Sequence, residues 1–352
     1  MMPAPPKTIY IGSHEERERE EARKREELRV IEQPPPPPQP DGRPEPKTID
    51  CSHIDATPDV VPTIKMPPIP DLPPDPVLTP DTNPLPAGFK TTLLITTYKR
   101  DRQTKHGILS VLEQNPDELN VQLLVLDDAA QESTERMCIE LGVPYLATRI
   151  IDPCSKPPWR TPAYAFNIGC RHTQSDAIFL SCGEMFHVKQ CLEKLLAVLA
   201  QDPMALAVPK GYDDNGDILA ALNAGNQPTL ALVNSMGELN IRLPFLMGFK
   251  RSHFELIGGY DEDMRGMAFD DDDIVWRLLQ LGCHYRQADR AKAVHLYHDR
   301  IPYMTPNQKV MWHYNRNMYL SRRRILARNK HGNWGQEFKP KQTFEAWNPD
   351  RV

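Results

Sequence analysis

Four consecutive carboxylates, Asp270 to Asp273, stand between Phe269 and an apolar run in the segment GGYDEDMRGMAFDDDDIVWRL. Like charges crowded this way cost stability unless a cation, a helix N-terminus or raised pKa values relieve them. A solvated acidic run is rarely framed by Phe, Ile, Val and Trp, so this segment is the strongest candidate for chemistry. Three weaker groups accompany it. Asp127 and Asp128 close the apolar run VQLLVL, where strands also end in Asp for turn and capping reasons. The run DAIFL leads into Ser181, Cys182, Gly183, Glu184 and then His187. A carboxylate and an imidazole three apart can face one divalent ion or a diphosphate, although a helix N-cap region has the same composition. His295 and His298 lie in AVHLYHD, readable as structural histidines or as metal ligands.

The elements that must hold these residues follow from the apolar pattern. TTLLITTYK reads as a buried strand followed by a helix from Asp101 to Gln114, and VQLLVLDD as a second strand. VPYLATRII is a weaker third, and Pro162 to His172 reads as a helix entering the strand DAIFLS. A helix near Gln190 to Ala200 then precedes the strand ALAVPK. This alternation predicts an α/β fold with a central, mostly parallel sheet flanked by helices. In such sheets ligands sit beyond the carboxyl ends of the strands, where Asp127, Asp128 and Glu184 fall. No internal repeat is visible at periods of about 20 to 50 residues. After His298, NQKVMWHYNRNMYLSRRRILARNKHGNWG reads as a helix with a basic end: Arg322, Arg323, Arg324, Arg328 and Lys330. It is either a packed helix with a solvated basic face or a surface for an acidic polymer or phosphate-bearing acceptor.

Composition bounds the rest. The 352 residues carry 42 Lys plus Arg against 47 Asp plus Glu, a net charge of -5, which argues against a general nucleic-acid coat protein. Of 36 prolines, 22 precede Lys90. Residues 1–88 are therefore expected to be a largely extended Pro-rich arm, with five consecutive prolines at Pro34 to Pro38. The arm includes a short charged helix over 13–32, opened by the capping-box pair Ser13 and Glu16. One globular domain over 89–300 and a helical extension over 301–352 complete the expected organisation. No stretch reaches the roughly 18 uncharged apolar residues of a membrane helix, and MMPAPPKTIY lacks a signal-peptide pattern, so a cytoplasmic protein without membrane insertion is expected. Seven scattered cysteines with no CxxC pair read as reduced filler.

Taken together, these motifs resemble the GT-A fold glycosyltransferases, most closely the inverting family 2 type, over about residues 90 to 300. ITTYKR resembles that family's first strand, and VLDDAAQEST its nucleotide-binding strand end. AFNIGCRHTQSDAIFL is similar to the helix with Asn-x-Gly before the central strand, LMGFKRSHFELIGGYDEDMRGMAFDDDDIVWRLLQLG to the acceptor-side segment, and HLYHDR to a late histidine element. Where the family usually shows Asp-x-Asp, this chain has Ser181, Cys182 and Gly183, with Glu184 and a downstream His187 in GEMFH.

The resemblance implies transfer of a sugar, with inversion, from a nucleotide-diphosphate donor such as a UDP-sugar to an acceptor hydroxyl on a saccharide, a protein or a modified nucleic acid. It implies Asp271 as general base, with Asp270 and Asp272 orienting hydroxyls. Thr97, Tyr98, Asp127, Asp128 and Asn167 would bind the nucleotide. Glu184, His295 and His298 would hold a divalent cation, Mn2+ in preference to Mg2+. Without a cation, Lys99, Arg100, Arg160 or Arg171 must supply the positive charge. Two other readings stay open: a catalytically silent GT-A domain serving as an assembly or adaptor module, and a metal-dependent hydrolase, the latter weakened by the lack of an HExxH helix.

Overall fold

The structure, a computed structural model, describes residues 9–10, 78–148, 162–239, 243–264, 268–299, 306–329 and 334–335. The chain divides into two units, Met1–Ile11 with Asp75–Val352, and Gly12–Pro74; every described residue belongs to the first. The expected helix over 13–32, the proline run at Pro34 to Pro38, Arg160 and Lys330 lie outside the described residues.

One sheet organises the first unit. Strands β1 (Ile9–Tyr10), β2 (Thr91–Thr97), β3 (Val121–Asp127), β4 (Tyr145–Ala147) and β5 (Ala177–Cys182) supply its first half. The second half comes from β6 (Met185–His187), β7 (Ala205–Asp213), β9 (Leu246–Lys250) and β10 (His284–His295), with the short β8 (Gly237–Glu238) appended to β7. The spatial order is β1-β4-β3-β2-β5-β9-β7-β10-β6. From β1 to β5 every pair is parallel, as the sequence pattern predicts. Beyond β5 the directions mix, because β9 runs antiparallel to both β5 and β7. The turn-back is local: β8 folds antiparallel onto the carboxyl end of β7, so the chain re-enters the sheet from that end and β9 must run downward.

Every residue of β2 is buried, which explains why TTLLITT reads as a continuous apolar run rather than an alternating one. Its side chains still divide by face. Leu93 and Ile95 pack with α1 (Asp101–Leu112), α2 (Glu132–Leu141) and α4 (Cys191–Gln201). Leu94 packs with α3 (Pro162–Arg171) and with residues of α7 (Arg251–Leu256) and α8 (Asp270–Gln280). In α4 the buried residues Leu192, Leu195, Leu196 and Leu199 form a stripe at helical spacing. Two short helices, α5 (Asp217–Asn223) and α6 (Leu230–Ser235), cover a third cluster around Phe186, Tyr212 and Val294. Burial pushes the thiols of Cys138, Cys170, Cys191 and Cys283 up to about 12, in keeping with unreactive filler.

Two segments outside the sheet are tied to it. Leu78, Leu85 and Phe89 pack against the two cores, and Asp81 meets Lys250 at 2.7 Å. That contact holds the Asp81 carboxyl down at about 2. The Nε2 of buried His253 donates a 3.0 Å hydrogen bond to the Asp81 carbonyl.

At the other end, α9 (Pro306–Arg322) delivers the basic cluster, and its arginines turn inward. Arg322 pairs with Asp261 and Asp263, Arg328 with Asp261 and Asp273, and Arg323 stacks over Trp276 at 4.0 Å. Three arginines of the basic end thus brace the acidic segment, while Arg324 stays exposed.

Candidate active site

The carboxyl ends of the parallel strands place the first group of residues. Thr97 ends β2, is 1% exposed, and shares a 2.7 Å hydrogen bond with Thr104 of α1. The close fit continues at Gly183 and Gly107, where a Cβ would stand 2.6 Å from the Thr104 hydroxyl and 2.8 Å from the Met185 carbonyl. Glycine at these two positions lets α1 press against the turn between β5 and β6, and Glu184 sits in that turn. Tyr98 is half-buried beside Lys99, whose ammonium lies 5.3 Å from the ring centroid.

Asp127 and Asp128 are both buried. The Asp127 carboxylate accepts from the Ala129 and Gln131 amides at 2.9 and 2.7 Å and from the Tyr145 hydroxyl at 3.1 Å. Burial raises its pKa, and these donors limit the rise without cancelling it. It shapes the turn into α2 and is committed inward. Asn167 is likewise interior: its amide donates to the Tyr260 carbonyl and to Glu262, and its carbonyl accepts from the Tyr260 amide at 2.8 Å. Both residues position their surroundings, a role that strand-end and helix patterns cannot distinguish from ligand contact.

Around Glu184 the structure brings three elements together. Arg100, just before α1, approaches Glu184 at 3.5 Å and reaches the Asp299 carbonyl at 3.4 Å. His295, at the end of β10, pairs through the backbone with Met185 and feels the Glu184 charge. Its Nδ1 lies 3.1 Å from Asp213, which ends β7, and its ring packs edge-on against that of His298 at 5.1 Å. Burial lowers the His295 pKa, while Asp213 and Glu184 oppose the shift. The imidazole is therefore disposed to be neutral, the form that ligates metals. Asp213 was not foreseen; its signal was a second strand, ALAVPKGYDD, ending in carboxylates.

Among the described residues no three His, Cys, Asp or Glu side chains form a metal-holding group. Glu184 and His295 nevertheless offer a carboxylate and an imidazole side by side. That donor set suits a cation whose remaining ligands are diphosphate oxygens and water. Arg171, a candidate for supplying charge, is engaged elsewhere, stacked on Trp334 at 4.6 Å. Arg100 is the described cation that faces Glu184.

The acidic run opens α8, where a helix N-terminus stabilises carboxylates. Phe269 enters it in the left-handed region, at φ 66. The four aspartates then separate in function. Asp273 is 1% exposed and pairs with Arg277 at 2.7 Å and Arg328 at 3.0 Å, so it anchors the helix. Asp271 accepts a 3.0 Å hydrogen bond from the Tyr260 hydroxyl. Burial first, and then Asp271 and Asp270, raise the Tyr260 pKa, which keeps that hydroxyl a donor. Asp270 is 9% exposed and Asp272 is open to solvent. Tyr260 was missed because it reads as an ordinary core aromatic, stacked on Phe166 at 5.5 Å.

Among solved structures, the chain is similar to GalNAc-T7 with UDP, GalNAc and Mn2+, at 12% identity and a TM-score of 0.44, covering 66% of this chain and 50% of that one. It is similar to the mannosyltransferase PcManGT from Pyrobaculum calidifontis in complex with GDP-Man and Mn2+, at 16% identity and a TM-score of 0.42, covering 72% and 65%. TarS of S. aureus matches at 10% identity and a TM-score of 0.47, covering 66% and 39%. The chain thus spans only 39 to 65% of the length of these three structures. No curated protein matches it in sequence. Residues 92–258 match the model of glycosyl transferase family 2, a stretch just under half of the chain that runs from β2 through α7 and stops before the acidic run. Over that stretch the chain is similar to glycosyl transferase family 2, on a mixed α/β fold.

Proposed function

We propose that the protein transfers a glycosyl group from a nucleotide-diphosphate sugar to an acceptor hydroxyl, with inversion at the anomeric carbon. The observation that carries this reading is the Glu184 cluster at the carboxyl ends of β5, β7 and β10, whose Arg100, Glu184 and Asp213 lie in the stretch that matches the family and whose His295 lies beyond it. Thr97, Tyr98 and Asp128 form the nucleotide wall, with Asp127 and Asn167 fixing the backbone behind it. UDP is the nucleotide that the family resemblance implies.

In the reaction, the Asp271 carboxylate takes the proton of the acceptor hydroxyl. The acceptor oxygen bonds to the anomeric carbon as the bond to the diphosphate oxygen breaks, and the nucleoside diphosphate leaves with that electron pair. Tyr260 stays protonated and orients the base through its Oδ1. Glu184 and His295 would hold a divalent cation, Mn2+ in preference to Mg2+, and the chemistry such an ion supplies is neutralisation of the charge growing on the diphosphate. Arg100 contributes the same sign of charge from the protein.

Calorimetric titration of UDP with and without Mn2+, on wild type and on Glu184→Ala, tests the site. Stronger binding with Mn2+ in wild type alone supports it; equal affinities in all four titrations contradict it. The Arg100 contact with Glu184 favours a second reading, a silent domain acting as an adaptor, in which the guanidinium fills the cation's place. That reading expects no nucleotide binding in any of the four titrations.

A further inference from the structure

Two carboxylates close β7, Asp213 and Asp214, and they are not used alike. Asp214 caps the turn that follows. It is 4% exposed, and its carboxylate accepts from the amides of Gly216 at 2.9 Å, Ile218 and Leu219 at 3.0 Å and Tyr297 at 3.2 Å, so the entry into α5 rests on it. Asp213 meets His295 instead, with Oδ1 3.1 Å from Nδ1.

That contact is built into the sheet. Strand β10 runs between β7 and β6, and His295 is the Cα partner of Asp213 on one side and of Met185 on the other. The Asp214 amide donates to the His295 carbonyl at 2.9 Å, and the Leu296 amide to the Glu184 carbonyl at 2.8 Å. Backbone pairing thus fixes Asp213, His295 and Glu184 against one another. The imidazole has further neighbours in the rings of Phe245, at 5.3 Å, and His298, at 5.1 Å, both edge-on. Its side chain is 8% exposed, so its orientation is set by these contacts rather than by solvent.

The partner's chemistry sets the direction of the hydrogen bond. An ionised carboxylate only accepts, so the proton sits on Nδ1 and the lone pair on Nε2. A cation held by His295 is therefore held through Nε2. The other tautomer would put a hydrogen where that lone pair must be. A carboxylate behind the ring also raises the basicity of the ligating nitrogen.

On the reading of His295 and Glu184 as cation ligands, we propose that Asp213 is a positioning residue of the cation site: it keeps the His295 proton on Nδ1 and so presents Nε2 to a divalent cation. Asp213 acts through His295 and does not itself ligate.

The test is Mn2+ binding to the full chain, with and without UDP, followed by the EPR signal of the free ion and by pulsed EPR of the bound ion. In wild type the bound ion shows an imidazole nitrogen coupling that His295→Ala removes. Asp213→Ala removes the same coupling and weakens Mn2+ binding about 10- to 100-fold, while affinity for UDP without metal is unchanged. Asp213→Asn, which keeps the side chain's shape, weakens Mn2+ in the same direction, because its amide can donate to Nδ1 and drive the proton to Nε2. Coupling that survives in Asp213→Ala, even at lower affinity, overturns the inference alone, as does unchanged Mn2+ affinity in both Asp213 variants. A wild type that binds no Mn2+, or binds it without coupling to His295, overturns the cation reading and this inference together.

Discussion

Asp271→Asn keeps the side chain's shape and its hydrogen bond to Tyr260 while removing the basicity. Transfer should fall by about 100-fold or more with nucleotide affinity unchanged, and near-normal turnover would move the base to Asp270 or Asp272. Tyr260→Phe should cost less, about 10-fold, because it frees the carboxylate's orientation without removing it. A third prediction is a pH effect. An unfolded imidazole takes its proton near pH 6.5, whereas burial holds that of His187 down at about 4. Between these values the unfolded state binds more protons, so stability falls as pH drops through that window, by about 3 kcal/mol in all. Urea midpoints at pH 7 and pH 4.5 should show this loss in wild type and a smaller one in His187→Gln, since buried His253 and His295 contribute in the same direction. At this scale the sequence revealed residue types better than roles. Asp127 and Asp128 look alike as a strand end, and only the amides of Ala129 and Gln131 show that Asp127 is spent on the turn.

Helix α8 is the element on which the acidic run depends. Its anchor is Asp273, held by Arg277 from the next turn and by Arg328 from beyond α9. Removing one member of a buried network strands the other charges, so Arg328→Met should destabilise the fold by about 3 to 5 kcal/mol, measured by urea unfolding. An Arg328→Met protein as stable as wild type would return the basic end to the solvent-facing role its sequence suggests. The elements themselves were largely legible. Continuous apolar runs gave β2, β3 and β5, and helical spacing gave α1 and α4, within a residue or two at their ends. The direction of β9 was not legible, because it is fixed by the β7–β8 pairing, which periodicity does not encode. The inward partners of Arg322 and Arg328 were not legible for a related reason: a charge run looks the same whether its partners are solvent or the aspartates of a distant loop.

For the molecule as a whole, the proline-rich segment divides at a definite place. The first unit resumes at Asp75, and Leu78, Asp81 and Leu85 are fastened to the domain. Deletion of residues 1–74 removes only the two-residue edge strand β1 and should lower thermal stability slightly, whereas deletion of 1–88 should lower it more, since the second cut also removes the Lys250 partner and two apolar anchors. Equal melting of both truncations would mean the anchors contribute nothing. No described helix is long and apolar enough to cross a membrane. The account's central claim is that these parts form one nucleotide-sugar site, and release of free nucleotide from a panel of UDP- and GDP-sugars with Mn2+ tests it without knowledge of the acceptor. It predicts slow release from at least one donor, abolished in Glu184→Ala; release from none of them, or equal release by wild type and variant, would contradict it.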